Sequence, residues 1–339
     1  MRDCADVLIV IPCLNEQAYL PALLAEMTRD APGALLVVAD GGSTDASRAI
    51  VGEAAAADPA IRLLDNPARW QSAGINAAVR HHGAGRPWLV RIDAHCGYPR
   101  GHVAALVRRA EQLGVEAIAT PMRARGTTCF QRAVAATQNA LLGTGGSLHR
   151  HLGKGRFVDH GHHTLIALPV FARLGGYCET MSHNEDAEFD QRLSIIGGRI
   201  WLEPACAIDY YPRRDIVALF RQSRCHGAGR AVTVRRHRLR PKLRQLLPLG
   251  AVGAVLLLPA APLAPALALP AIVWLGTSIG FGAWLGWRQR SACVAMAGVA
   301  AATMHLGWGI GFFGEWLLGW GRAVTSPARV SIASRSARQ

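Results

Sequence analysis

The sequence predicts an α/β domain built on a mostly parallel sheet, followed by a C-terminal anchor of transmembrane helices. Three observations predict it. Short apolar runs alternate with amphipathic segments through the first third of the chain. Two long uncharged stretches fill the last third: Gln245–Trp287 holds 43 residues without a charged side chain, and Ser291–Gly321 holds 31 with only Glu315. Between these parts, Arg213–Arg244 carries eleven Arg or Lys against one acid, Asp215. At 339 residues the chain has room for one large domain and a second unit.

The elements follow in order. Val7–Leu14 reads as a buried strand, Tyr19–Arg29 as a helix and Ala34–Ala39 as a second strand. Asp45–Ala57 is helical in pattern, Ile61–Leu64 strand-like, Gln71–His81 helical, Trp88–Ile92 β-rich and Gly101–Leu113 helical. Such alternation implies a parallel sheet covered on both faces, with ligands at the carboxyl ends of the strands. Met122–Gly161, rich in Gly, His and Arg, reads as a mobile loop around a helix. Gly175-Gly176-Tyr177 then precedes an acidic pair, Glu185-Asp186, which opens a helix over Ala187–Ile196. The expected divisions are a catalytic domain at 1–212, a basic interfacial helical segment at 213–245, about three transmembrane helices at 246–320 and a flexible basic tail at 321–339.

A bilayer core takes about 20 apolar residues per span, so the first uncharged stretch fits a hairpin of two spans and the second fits one. Basic residues beside a span hold that end in the cytoplasm and attract anionic headgroups, which places the first domain on the cytoplasmic side of the inner membrane. Arg288 and Arg290 return to the same side. A third span would export a tail containing Arg322, Arg329, Arg335 and Arg338 and no acid, against the charge rule. Either the last segment is re-entrant or the tail is exported. His305 and Glu315 in that segment face a polyprenyl phosphate or a helix partner, or Glu315 sits at the interface. The N-terminal apolar run is too short, and too soon polar, for a secretory signal.

The +14 net charge does not mark a nucleic-acid binder, because no aromatic residue stands among the arginines between Arg221 and Arg244 to stack on bases. Of the 37 basic residues only Lys154 and Lys242 are lysines, which reflects composition as much as function. Eight cysteines without a C-x-x-C pair suit a reducing compartment, with no disulfide framework and no zinc site of the usual kind.

Three polar clusters follow strands or open a helix. Asp40-Gly41-Gly42-Ser43 sets an acid before small residues that let backbone approach a ligand; it also fits a Gly-rich turn with Asp45 capping a helix. Asp93 and His95 stand two apart at a strand exit, where both reach one divalent ion, or form a solvated turn. Glu185 and Asp186 at a helix start supply a general base, or simply complement the helix dipole.

Together with Val10-Ile-Pro-Cys-Leu-Asn-Glu16, Val38–Asp45, Arg91–Pro99, Gly175-Gly-Tyr, Asn184–Glu188 and Arg192-Leu193, these clusters make the chain resemble the family 2 inverting glycosyltransferases of GT-A fold. Within them it is similar to the ExoA-type branch of succinoglycan biosynthesis glucosyltransferases. The resemblance covers roughly residues 5 to 235. It implies a nucleotide-sugar pocket lined by Pro12, Asn15, Glu16, Asp40, Gly42, Ser43, Asn76, Arg91 and Asp93, with Gln222 and Arg230 near the diphosphate. It implies a divalent cation, Mg²⁺ or Mn²⁺, at Asp93 and His95, and Asp186 as catalytic base with Glu185 beside it. The implied reaction moves one hexose, glucose for this branch, from UDP to a polyprenyl-diphosphate-linked saccharide at the membrane lipid, in exopolysaccharide or cell-envelope glycan synthesis. A base against the acceptor hydroxyl and a stabilised diphosphate leaving group are what one in-line displacement requires. Two alternatives remain: a transferase that charges polyprenyl phosphate itself, and an inactive membrane scaffold of the same fold. The chain departs from the family at Cys178, where relatives place an acid, and at His160-Gly-His-His163, read as solvated loop histidines.

Overall fold

The computed structural model describes residues 4–140, 143, 145 and 153–318; the tail expected at 321–339 lies outside the described residues. Its strands are β1 (Val7–Cys13), β2 (Leu35–Asp40), β3 (Ile61–Asp65), β4 (Trp88–Arg91), β5 (Cys96–Gly97), β6 (Ala117–Ala119), β7 (Met122–Ala124), β8 (Arg156–Val158), β9 (His163–Ala167), β10 (Ile200–Leu202) and β11 (Ile208–Tyr210). The catalytic-domain helices are α1 (Leu20–Asp30), α2 (Ser47–Ala57), α3 (Gln71–His82), α4 (His102–Leu113), α5 (Cys129–Gln138), α6 (Leu168–Arg173) and α7 (Glu185–Ile195). After them come α8 (Ile216–Arg236), α9 (Leu243–Leu257), α10 (Leu269–Arg288), α11 (Ala292–Ala295) and α12 (Ala297–Leu318).

The eight-stranded sheet runs β3-β2-β1-β4-β9-β6-β10-β8. Its first four strands are mutually parallel, which is the half that the alternating pattern predicted. Beyond β4 the sheet turns mixed: β9 pairs antiparallel with both β4 and β6, and β8 antiparallel with β10. A second sheet, β5-β11-β7, stands apart. β1 shows why the centre is parallel and doubly covered. Val7, Ile9 and Ile11 enter the core under α1, α2 and α4, while Leu8 and Val10 enter the core under α3, α6 and α7. A strand buried on both faces can be apolar throughout, as this one is. The polar residues Asn15, Glu16, Asp40 and Asp93 therefore fall at or just past strand ends, all on one edge of the sheet.

Three helical segments are long and apolar enough to cross a membrane by length and composition: Leu243–Ala260, Pro265–Arg288 and Ala292–Leu317. They differ in packing. The first two windows are 22% and 17% buried, and the third is 56% buried because α12 lies along α8. Glycines make the approach possible. A Cβ on Gly227 would meet the Trp308 carbonyl, and one on Gly307 or Gly311 would meet the Phe220 or Arg224 carbonyl. Glu315, 1% exposed, accepts from Arg235 at 2.7 Å and closes the far end of the pair.

Where the sequence suggested no disulfide framework, the structure holds one disulfide. Cys129 at the start of α5 is disulfide-bonded to Cys293 in α11, with Cα atoms 4.9 Å apart. The two are 164 residues apart in sequence, and only the docking of the anchor on α5 brings them together, so no spacing could announce the bond. Thr137 Oγ1 donates to the Ala297 carbonyl at 2.8 Å beside it. Cys13, Cys178, Cys206 and Cys225 are free thiols.

Candidate active site

The loops after β1 and β2 are stitched to each other. Asn15 takes a left-handed conformation (φ 58°), which asparagine tolerates, and this turns its side chain to accept from Thr44 N at 2.8 Å. Asn15 N donates to Ser43 Oγ and Glu16 N to Ser47 Oγ, each at 2.9 Å. Asp40, 2% exposed, accepts from Gly42 N, Ser43 N and Arg48. Burial alone would raise its pKa, but these donors hold it below the usual value. Asp40, Gly42, Ser43 and Asn15 thus shape the rim, and none of the four lines the cleft itself.

The cleft encloses about 400 Å³ and is lined by Pro12, Glu16, Arg91, Asp93, His95, Glu185, Asp186 and Gln222 among the predicted residues. Arg91 occupies the last position of β4 and bridges two acids, Asp93 at 3.0 Å and Glu185 at 3.3 Å. It is the link between the strand-exit cluster and the start of α7. Burial would raise the Asp93 pKa; Arg91, with His162 and His95, overrides it and keeps the carboxyl well below the usual range. Glu185 is 5% exposed and also accepts from Gln71 at 2.8 Å. Its burial, opposed by Arg91 and aided by the neighbouring Asp186 charge, leaves its pKa pushed up to about 7. Asp186 differs from it. Half-buried at the cleft wall, it accepts only from Ala187 N and has no ion-pair partner among the described residues. Of the two acids it is the one free to meet a substrate hydroxyl.

His95 Nδ1 lies 3.1 Å from Glu16 Oε1. A carboxylate on one ring nitrogen fixes the tautomer and leaves Nε2 as a lone-pair donor, an arrangement that suits a metal-binding imidazole. Asp93 offers a hard oxygen two residues away. Among the described residues no group of three or more His, Cys, Asp or Glu is arranged around a common ion position. The pair still fits a magnesium- or manganese-like ion, which takes one or two protein ligands and completes its shell with phosphate and water.

Asn76 and Arg230 fall elsewhere. Asn76 is buried beneath the cleft, where its amide donates to the Tyr177 carbonyl and accepts from Tyr177 N, clamping the Gly175-Gly176-Tyr177 turn. Glu179 joins that clamp through Asn76 at 3.0 Å and Arg80 at 2.8 Å, and Cys178, the residue that departs from the family, contacts Arg236. Arg230 lines a separate cavity. Two of the histidines read as solvated are not: His160 bonds Asp190 at 2.6 Å, and His162, 9% exposed at its side chain, lies 3.7 Å from Asp93. Arg69, Gln71, His183, Arg213 and His226 also line the cleft. Sequence reasoning missed Arg69, Gln71 and His183 because their surroundings show no polar pattern, and Arg213 and His226 because the basic stretch that holds them was read as a membrane signal. A surplus of cationic and imidazole groups facing Asp93 is what a diphosphate-bearing ligand needs.

A mostly parallel sheet with acids at its carboxyl edge, an acid–imidazole pair and a free carboxylate at a helix start defines a GT-A-type glycosyltransferase. The chain belongs to glycosyltransferase family 2: residues 8–173 match Glycosyl transferase family 2, and the succinoglycan biosynthesis protein ExoA of Rhizobium meliloti (strain 1021) is 43% identical over 316 residues, 91% of this chain and 94% of that one. The undecaprenyl-phosphate 4-deoxy-4-formamido-L-arabinose transferase of Shewanella sediminis (strain HAW-EB3) is 33% identical over 143 residues, 40% of this chain and 42% of its own. In fold the chain is similar to a mannosyltransferase from Pyrobaculum calidifontis solved with GDP-Man and Mn²⁺, at a TM-score of 0.58 and 20% identity, covering 89% of this chain and 87% of that one.

Proposed function

We propose that this glycosyltransferase moves a single hexose, glucose, from its UDP-sugar to a polyprenyl-diphosphate-linked saccharide, with inversion, on the cytoplasmic face of the inner membrane during exopolysaccharide assembly. The observation that carries the reading is the division of labour between adjacent acids. Glu185 is locked to Arg91 and Gln71, while Asp186 stands open to the same cleft as Asp93 and His95. Asp186 accepts the proton of the acceptor hydroxyl as it attacks. Arg91 holds Asp93 and Glu185 in register, and Arg69 and Arg213 meet the departing diphosphate. A divalent cation held by Asp93 and His95 would neutralise charge on the leaving group; the mannosyltransferase solved with Mn²⁺ supports this in the fold. The relatives named for succinoglycan biosynthesis and for an undecaprenyl-phosphate sugar transfer support a lipid-carried acceptor.

In the membrane, α9 and α10 cross as a hairpin. α12 stays against α8 at the cytoplasmic surface, which favours the re-entrant alternative over export of the basic tail.

The test is release of the nucleoside diphosphate by the detergent-purified protein from a panel of UDP-, GDP- and dTDP-hexoses, with and without Mg²⁺ or Mn²⁺ and with a lipid-linked saccharide extract. Release from UDP-glucose alone, dependent on metal and extract and reduced about 10²–10⁴-fold in Asp186→Asn, is expected for loss of a general base. Equal release in Asp186→Asn rejects the base assignment, and transfer to bare polyprenyl phosphate would select the alternative acceptor.

A further inference from the structure

A second hollow of about 250 Å³ lies between α8, the start of α9 and α12. Gln222, His226 and Arg230 reach it from α8, Arg244 from α9, and His305 and Trp308 from α12. No carboxylate lines it among the described residues, although two guanidinium groups do. That is out of character for this chain. Most of its other partly buried arginines pair with acids, among them Arg91 with Asp93 and Glu185, and Arg192 and Arg236 with Glu188; Arg86 is the exception, its Nε also without a hydrogen-bond partner among the described residues. Arg230 is half-buried, and its Nε is a buried donor with no hydrogen-bond partner among the described residues. Burial, then the Arg244 charge, presses its pKa below the ordinary value, so the guanidinium sits in a place that disfavours its own charge. Asp159, Asp186 and Asp190 offset part of this from a distance, but a buried donor left unmade beside two guanidinium groups, with no acid in contact with Arg230 among the described residues, is costly unless an anion completes the site.

Position then selects the anion. The hollow and the sugar-nucleotide cleft share His160, Asn184, Tyr210, Gln222 and His226 in their walls, so the two meet beside α7. Asp186 lines one and its neighbour Ala187 the other. On the opposite side the lining turns apolar, with Leu247, Pro248, Met304 and Trp308, at the point where α9 begins its uncharged run. Two guanidinium groups, apolar side chains from the first uncharged helix and a wall shared with the cleft of Asp186 match one kind of molecule.

We infer that this hollow seats the phosphate groups of the lipid-linked acceptor, with Arg230 and Arg244 gripping the polyprenyl diphosphate while its saccharide extends toward Asp186. Arg230 is thereby an acceptor residue and not a donor one. The inference rests on the reading of the acceptor as lipid-carried. The same diphosphate chemistry exists in the nucleotide product, so the test must separate the two sources.

Equilibrium binding of tritiated farnesyl diphosphate to the full-length protein in detergent does so, with UDP binding measured in parallel. Arg230→Gln and Arg244→Gln are each expected to weaken farnesyl diphosphate at least tenfold, while Arg221→Gln, on an exposed face of α8, leaves it unchanged. Farnesol should fail to compete, inorganic pyrophosphate should compete weakly, and phosphatidylglycerol at equal concentration should not displace the probe. Should Arg230→Gln fail to fold by its melting curve, Arg244→Gln at its half-buried position carries the decision. Displacement of the probe by UDP with both arginine variants unaffected places it in the donor cleft and overturns the inference; so does Arg230→Gln weakening UDP as strongly as the prenyl diphosphate. Displacement by phosphatidylglycerol reduces the hollow to a general lipid patch and also overturns it. Prenyl diphosphate binding without binding of any nucleotide would instead sink the glycosyl-transfer reading and leave this site standing.

Discussion

Among single residues, His102 shows how burial dominates a titration. It is 1% exposed at the start of α4, and neither ring nitrogen has a partner among the described residues. Burial first, then the nearby His162, lowers its pKa from 6.5 to about 3. The unfolded chain takes up this proton below about pH 6.5 and the folded protein does not, so stability drains away as pH falls from 6.5 toward 3, at about 1.4 kcal/mol per pH unit. Melting in detergent should therefore fall between pH 7 and 5, and His102→Leu should flatten that dependence; an unchanged slope would show that His102 is protonated in place. Asp93, Glu185 and Asp186 were legible in the sequence, since acids beside a strand exit and a helix start stand out from an apolar background. The Arg91 bridge between the two clusters was not, because 92 residues separate Asp93 from Glu185 in sequence and only the sheet joins them. For the same reason adjacent acids with opposite fates, one locked and one open, look alike until their neighbours are known.

Elements whose partners are local were read within a residue or two. β1 to β4 and α1 to α4 each carry their own period, and a parallel sheet covered on both faces follows from that alternation. The mixed half of the sheet escaped, because β6, β8 and β10 span three residues each, too short to show any period. α8 is a different case. Its basic residues were plain, but its role as the cradle of α12 depends on glycines facing carbonyls across the pair. Gly311→Val would drive side-chain atoms into the Arg224 carbonyl and is expected to cost about 1–3 kcal/mol or more, the usual range for overpacking. A lowered melting temperature with UDP binding retained would match a defect confined to this seam, whereas an unchanged melt would mean that the helices are not in contact.

Over the whole molecule, the C-terminal apolar helices are joined to the catalytic domain as well as following it. The Cys129–Cys293 bond and the Thr137–Ala297 hydrogen bond tie it to α5, and α8 with α12 forms one wall of the second hollow. With α12 held on α8, the described chain should end at Leu318 on the side of the catalytic domain. A fluorescent protein fused there should light up in a bacterial host, and alkaline phosphatase fused at the same point should stay inactive. The reverse pattern would establish a third crossing and export of the tail.

Composition and period were enough for the α/β class, the C-terminal helices long and apolar enough to cross a membrane, the basic collar before them and the acids of the cleft. Each of these is a property of neighbouring residues along the chain, and hydrophobic burial or bilayer thickness translates it directly into structure. Which acid stays free, which arginine lacks a counterion, that two distant cysteines meet and that the last apolar helix packs on protein all depend on residues brought together from far apart. Those outcomes belong to tertiary packing, because a pairwise contact between distant elements leaves no trace in the local spacing of either one.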